Sequence, residues 1–193
     1  MYPFRRILLA ALSAMLLSGP AQASSVLPMN LDQIIDGAQI AFQGICTGSR
    51  SERDAQTGRI VTFTSFDVTD VLKGTVGATH TIKQVGGTVG GETYRVNGVP
   101  NFAVGQDYVV FLYGVSSAGF SSPVGLQQGK FVVTPGPSGP EISNGRDFKE
   151  MLPVQAGLPQ AAAVKIQQAQ GELTHFPLTD FKQIVRRPKG DAK

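Results

Sequence analysis

Residues 59–73, RIVTFTSFDVTDVLK, decide the fold class. Ile60, Thr62, Thr64, Phe66 and Val68 alternate with Val61, Phe63, Ser65, Asp67 and Thr69. A period of two places successive side chains on opposite faces of a sheet. β-branched and aromatic residues fill both sets, which favours strand, and the run is longer than the ~5–6 residues of an ordinary strand. A strand of this length bends around a small barrel or serves two sheets. Leu72-Lys73-Gly74 turns the chain, and Thr79–Val85 reads as a further strand with weaker alternation.

Working upstream, the polar run 48–58 reads as a hairpin loop and 39–47 as a first strand. Before it, Asn30 is an N-cap with Gln33 three residues on, Leu31, Ile34 and Ile35 share one helical face, and Gly37 can close the helix. Cys46, the one cysteine, shares a strand face with Ile40 and Phe42. No intramolecular disulfide can form, and the thiol reads as buried and inert.

Downstream, residues 85–133 carry glycine pairs, turns and one strongly apolar strand. Gly86-Gly87 and Gly90-Gly91 bracket what reads as a flexible loop, followed by a short strand at 94–97. Asn97-Gly98-Val99-Pro100 is a turn: Asn-Gly tolerates positive φ, and Pro100 pushes Val99 towards extended geometry. Residues 107–113 are apolar throughout their middle, the mark of a central strand buried on both faces. A hairpin of 120–126 and 130–134 around Gln127-Gln128-Gly129 completes the β part. The run Pro135-Gly136-Pro137-Ser138-Gly139-Pro140 reads as a boundary, with helical composition at 147–152, 160–170 and 179–187 beyond it. In the last of these, Thr179 is the expected N-cap, and Phe181, Ile184 and Val185 form a stripe that folds back on the β core.

The first 23 residues read as an export signal. Arg5 and Arg6 precede an apolar core of 11 residues, and Ala21-Gln22-Ala23 is a small-x-small cleavage site. That core is shorter than the ~20 residues a membrane span needs, so no membrane span is expected after cleavage. Cleavage after Ala23 leaves 170 residues and a net charge of +1. Only the end of the chain is clearly basic, with Lys182, Arg186, Arg187, Lys189 and Lys193 against Asp191. It reads as a solvated end. No aromatic residues interleave with these charges, so nucleic acid is not an expected partner.

Catalytic signatures are missing: there is no Gly-x-Ser-x-Gly elbow, His-Glu-x-x-His, phosphate loop or Gly-x-Gly-x-x-Gly. The two histidines, His80 and His175, have no Cys or carboxylate at ligand spacing, so neither a metal nor another cofactor is expected. Cys46 with His80, or Glu92 in the glycine loop, would be the residues of a small hydrolase. Asp67 and Asp70 fall on opposite strand faces and make no natural pair.

Val71-Leu72-Lys73-Gly74, Gly86-Gly87, Gly98-Val99-Pro100-Asn101-Phe102, Gly105 to Leu112 and Gln128-Gly129-Lys130-Phe131 together resemble a recurring pattern. It is that of a large set of exported bacterial proteins with no assigned activity. Their arrangement is similar to the OB-like barrel of the tissue-inhibitor-of-metalloprotease (TIMP) and netrin-like modules. That resemblance implies a β-barrel and is nearly silent on function. TIMP-like inhibitors grip the protease zinc through an amino-terminal Cys, whereas residue 24 here is Ser.

The expectation is an all-β chain, an OB-like barrel or open sandwich of five to seven antiparallel strands with short N-terminal and C-terminal helices. Its divisions are a signal peptide at 1–23, a β domain at 24–134, and a Pro/Gly linker with a helical basic tail at 135–193. The expected role is a periplasmic or secreted non-enzymatic binding module with a protein partner, an exported protease being one candidate. A small hydrolase and a small-ligand or carbohydrate carrier are the alternatives, the last poorly served by the absence of Trp. Gly86, Gly87, Gly90, Gly91 and Glu92 are the expected binding residues, because turn and core reasons do not account for them.

Overall fold

The structure is a computed structural model that describes residues 27–152 and 158–187. The leader assigned to residues 1–23 and the end of the basic tail lie outside them. Helix α1 (Leu31–Gly37) starts as its sequence predicts: the Asn30 side chain accepts from Gln33 N, and the Gln33 side chain answers Asn30 N. Strands β1 (Ile40–Arg53), β2 (Ile60–Lys73) and β3 (Thr79–Val85) follow as an antiparallel meander. A small hairpin, β4 (Gly87–Val89) and β5 (Glu92–Tyr94), stands apart from the main sheet. Strand β6 (Asp107–Leu112) then pairs with β1, and β7 (Lys130–Gly136), β8 (Gly139–Ser143) and the two-residue β9 (Phe176–Pro177) extend the sheet. Three further short helices are α2 (Phe148–Met151), α3 (Gln160–Gln168) and α4 (Leu178–Val185).

The main sheet has seven strands in the order β3-β2-β1-β6-β7-β8-β9, every pair antiparallel. The fold is all-β, and of the two architectures expected it is the open one. β1 departs from regular pairing at three places along β2, which lets the sheet curl. Between β6 and β3 there is no ladder. Residues 113–124 cross that gap through single contacts: Tyr113 N donates to Ser122 O at 3.1 Å, and Ser121 N to Lys83 O at 2.9 Å. The strand expected at 120–126 is reduced to an isolated bridge between Leu112 and Pro123. Pro123 has no N–H to give a ladder.

Each face of the sheet carries its own core. Against the helices lie Phe111, Phe131, Phe148, Phe176 and Phe181, all fully buried. Their rings meet at 4.9 Å (Phe131–Phe181) and 5.1 Å (Phe148–Phe176). Inside the curl lie Phe42, Cys46, Phe66, Ile82, Phe102, Tyr108, Val110 and Leu112. β6 serves both, as its continuous apolar run requires: Val109 and Phe111 face the helices, Val110 and Leu112 the curl.

Three local expectations are corrected. The polar run after Thr47 continues β1 as far as Arg53, since Gly48–Arg53 pair with Ile60–Ser65. The true loop is only 54–59, where Asp54 accepts from Thr57 N and Thr57 Oγ1. The Pro/Gly run 135–140 is the turn of the β7–β8 hairpin, because prolines are tolerated at a hairpin end where ladder donors are not needed. Helix α4 begins one residue before Thr179, after Pro177, so Thr179 is inside the helix.

The basic end is also not simply solvated. Lys182 pairs with Asp70 at 2.7 Å, Arg186 pairs with the same carboxylate, and Arg187 reaches Asp32 at 2.8 Å. Phe181, Ile184 and Val185 are buried as their stripe predicts. The charges that looked like a free tail fasten α4 to β2 and α1.

Candidate functional site

The inner surface of the curl changes character along its length. Cross-strand neighbours Cys46, Phe66 and His80 lie at its apolar middle. Towards the β1–β2 hairpin the inward positions become Thr64 opposite Ile82, then Thr62 opposite Gln84. Ser49, Thr62, Thr64, Gln84, Asn101 and Phe102 line a cavity of about 60 Å³ there, with Val85, Val99 and Pro100. The mouth of the curl is therefore polar where its interior is apolar.

Residues 96–103 roof this mouth, and three contacts fix them. Phe102 inserts edge-on between Phe66 and Tyr108, at 5.1 Å from each. Ala103 N donates to the Tyr108 hydroxyl at 2.8 Å. The Lys130 ammonium donates to Asn101 O at 2.9 Å and lies 5.6 Å from the Phe102 and Tyr108 ring centres. Burial lowers the pKa of that lysine. Among the described residues it has no carboxylate partner.

The residues singled out from sequence stand on the rim of the same mouth. Gly86–Glu92 is not a flexible loop: Gly87–Val89 and Glu92–Tyr94 pair as a hairpin. Gly90 and Gly91 have φ of 58° and 85°, the two positive values a two-residue hairpin turn needs. A side chain at Gly87 would begin 2.3 Å from Ser51 Oγ and 2.6 Å from Thr62 Oγ1, so the hairpin base packs tightly against this cross-strand pair of β1 and β2. Thr62 Oγ1 also donates to Gly86 O at 2.7 Å. Glu92 is exposed and pairs with Arg53 at 2.6 Å. Four of these five residues thus have conformational or packing reasons, and Glu92 fastens the hairpin to β1.

Gln84 is the residue the sequence did not single out. It is 4 % exposed, it lines the cavity, and its Nε2, itself buried, has no hydrogen-bond partner among the described residues. A buried amide donor left unanswered costs about 1–3 kcal/mol. Only its even-numbered place on β3, in phase with Ile82, hinted that it would turn inward.

The hydrolase residues are not brought together. Cys46 is on β1 and His80 on β3, with β2 and the Phe66 ring between them. Two strand spacings put them roughly 10 Å apart. Cys46 is 1 % exposed, and burial raises its thiol pKa, the reverse of activation. His80 packs edge-on against Phe42 at 5.3 Å, and burial lowers its pKa. Among the described residues no group of three His, Cys, Asp or Glu could hold a metal. Nor is any described helix long and apolar enough to cross a membrane.

At the far side of the mouth a second ion pair ties β3 to the loops. Lys83 reaches Asp54 at 2.7 Å and Ala118 O at 3.0 Å, with its ammonium 4.6 Å from the Phe120 ring centre. The hydrogen bond from Lys83, then that from Thr57, lowers the Asp54 pKa. Compared with protein-family models, curated proteins and solved structures, the chain matches none.

Proposed function

We propose that this chain is an exported, non-enzymatic binding module that meets a protein partner at the mouth of its curled sheet. One observation carries the reading: a hairpin held rigidly at its base yet exposed along its outer strand. Glu92, Thr93 and Tyr94 are all exposed, Tyr94 by 41 %, while Gly87 fits against Ser51 and Thr62 without room for a methyl group. An exposed aromatic on a strand fixed at its base, as Tyr94 is opposite Gly87, loses little entropy on binding, which is how such residues come to dominate interfaces. Export rests on the amino-terminal signal pattern, whose apolar core and Ala21-Gln22-Ala23 site fit periplasmic or secreted delivery.

The test is capture from envelope fractions and culture fluid at several salt concentrations. Wild type is compared with a variant in which residues 88–93 are replaced by a two-residue turn. A discrete protein retained by wild type and lost with the shortened hairpin is expected. Recovery of nothing above background at any salt concentration contradicts the reading.

A further inference from the structure

We propose that Asn97–Gly98, in the roof of the mouth, is a self-modification site where the asparagine amide converts to aspartate and isoaspartate. The other Asn-Gly pair of the chain, Asn144–Gly145, is protected by the fold. Both pairs lie outside the strands, and their glycines share a left-handed backbone, with φ of 84° at Gly98 and 81° at Gly145. Only at the second pair are the reacting groups occupied. Asn144 Nδ2 donates to Gln128 O at 3.0 Å, Asn144 Oδ1 accepts from Arg146 N at 3.2 Å, and Gly145 N donates to Ser143 Oγ at 3.1 Å. Asn97 is exposed, and among the described residues neither its side chain nor Gly98 N has a hydrogen-bond partner. A single backbone bond, from Val99 N to Val96 O at 3.3 Å, closes that turn.

The chemistry needs only water. Gly98 N gives up its proton to hydroxide and attacks Asn97 Cγ. The new N–Cγ bond closes a succinimide ring as the Cγ–Nδ2 bond breaks, and ammonia leaves with a proton from water. Water then opens the ring. Attack at Cγ leaves aspartate in the original main chain, whereas attack at the main-chain carbonyl leaves isoaspartate, with the chain routed through Cβ. Glycine permits the closure, because it puts no side chain beside the attacking nitrogen and lets the peptide rotate towards the amide. At Asn144 the same closure must first break the Ser143 bond that holds Gly145 N and the two bonds that hold the amide. Val99 and Pro100, next in the chain after Gly98, line the cavity at the mouth. Conversion therefore adds a negative charge to the roof segment, and the isoaspartate form also lengthens its main chain. This reactivity does not depend on a partner.

The experiment incubates the purified protein, native and urea-unfolded, at neutral and mildly alkaline pH, then digests it with trypsin under mildly acidic conditions. Cleavage after Arg95, Lys130 and Arg146 puts Asn97 and Asn144 on separate peptides, 96–130 and 131–146. Fragment masses locate each conversion, and chromatography separates the aspartate and isoaspartate forms. In the native protein Asn97 is expected to convert at least about tenfold faster than Asn144, because only the second pair must give up hydrogen bonds. In urea the two rates should converge. Asn97→Gln should remove conversion at that site. Ser143→Ala, which frees Gly145 N, should speed native Asn144 by roughly two- to tenfold. An unchanged Asn97 rate in that variant is the sign that its fold is intact. Native Asn97 converting no faster than native Asn144 overturns the proposal. A ratio that persists in urea overturns protection by the fold and assigns the difference to local sequence. An Asn144 rate that Ser143→Ala leaves unchanged overturns the part given to the Ser143 bond.

Discussion

The two faces of the sheet use the same strands for opposite ends. On the helix side, five buried phenylalanines interlock, and three cations of α4 and its end are matched by Asp70 and Asp32. On the curled side the core is aromatic at its middle but opens into a mouth lined by hydroxyls and the Gln84 amide. Each face keeps a buried polar atom without a partner among the described residues, Asp107 Oδ1 in phase with Phe111 and Gln84 Nε2 in phase with Ile82, but only the curled face gathers hydroxyls and an amide around a cavity. The difference separates a face covered by helices from one that opens at a polar mouth.

The largest expected effect sharpens that contrast directly. Phe131→Ala on the helix side should cost about 3–5 kcal/mol, lost transfer energy plus a cavity among the packed rings. Gln84→Leu at the mouth should leave stability within ~1 kcal/mol of wild type or raise it. Denaturant midpoints at constant slope decide the matter, and an equal loss in both variants breaks the distinction. Next in size is Gly87→Ala. Its φ of 134° and the 2.3 Å approach to Ser51 Oγ leave no room, so a loss of more than about 1 kcal/mol is expected. Substitution at the turn residue Gly91, where no atom lies within 4 Å, tests positive φ without crowding.

Asp70→Asn should cost about 1 kcal/mol near neutral pH, as a partly exposed pair with two cations. Burial raises the Asp70 pKa, but Lys182 and then Arg186 overcome it, so the folded value lies below the ordinary 3.8. Its contribution is therefore present above that value and is lost as pH falls through the folded one. In urea titrations the gap between Asp70→Asn and wild type should close at acid pH. His80 has the same direction in a different window. Its half-buried imidazole is harder to protonate when folded, so stability falls as pH drops below 6.5, and His80→Phe should remove that limb. The smallest effect is chemical. Cys46 should react with an alkylating reagent only on denaturation, and rapid reaction of the native thiol would contradict its burial.

Much of this was legible before any coordinates. The alternation of residues 60–73, the apolar 108–112 run, the Asn30–Gln33 cap and the Phe181, Ile184, Val185 stripe each predict the element observed. These are local signals, set by period and capping. What eluded reading depends on partners distant in sequence. Lys182 and Arg186 meet Asp70 from more than a hundred residues away, so their charges look free in the sequence. Pro135 and Pro140 look like a boundary until they oppose each other across a hairpin. Gly86 to Glu92 drew attention as a glycine loop, yet most of its glycines serve a turn and a tight packing contact. Gln84, just before it, carries no motif, and only the curl of the sheet buries it beside the cavity.

The most direct test sets one face against the other at matched exposure. Tyr94 on the hairpin and Val164 on α3 are 41 % and 40 % exposed. A photo-crosslinking amino acid is placed at each position in turn, in cells that express the full chain. The account expects a discrete adduct with a second protein from position 94 and none from position 164. An adduct from position 164 with none from position 94 would contradict it.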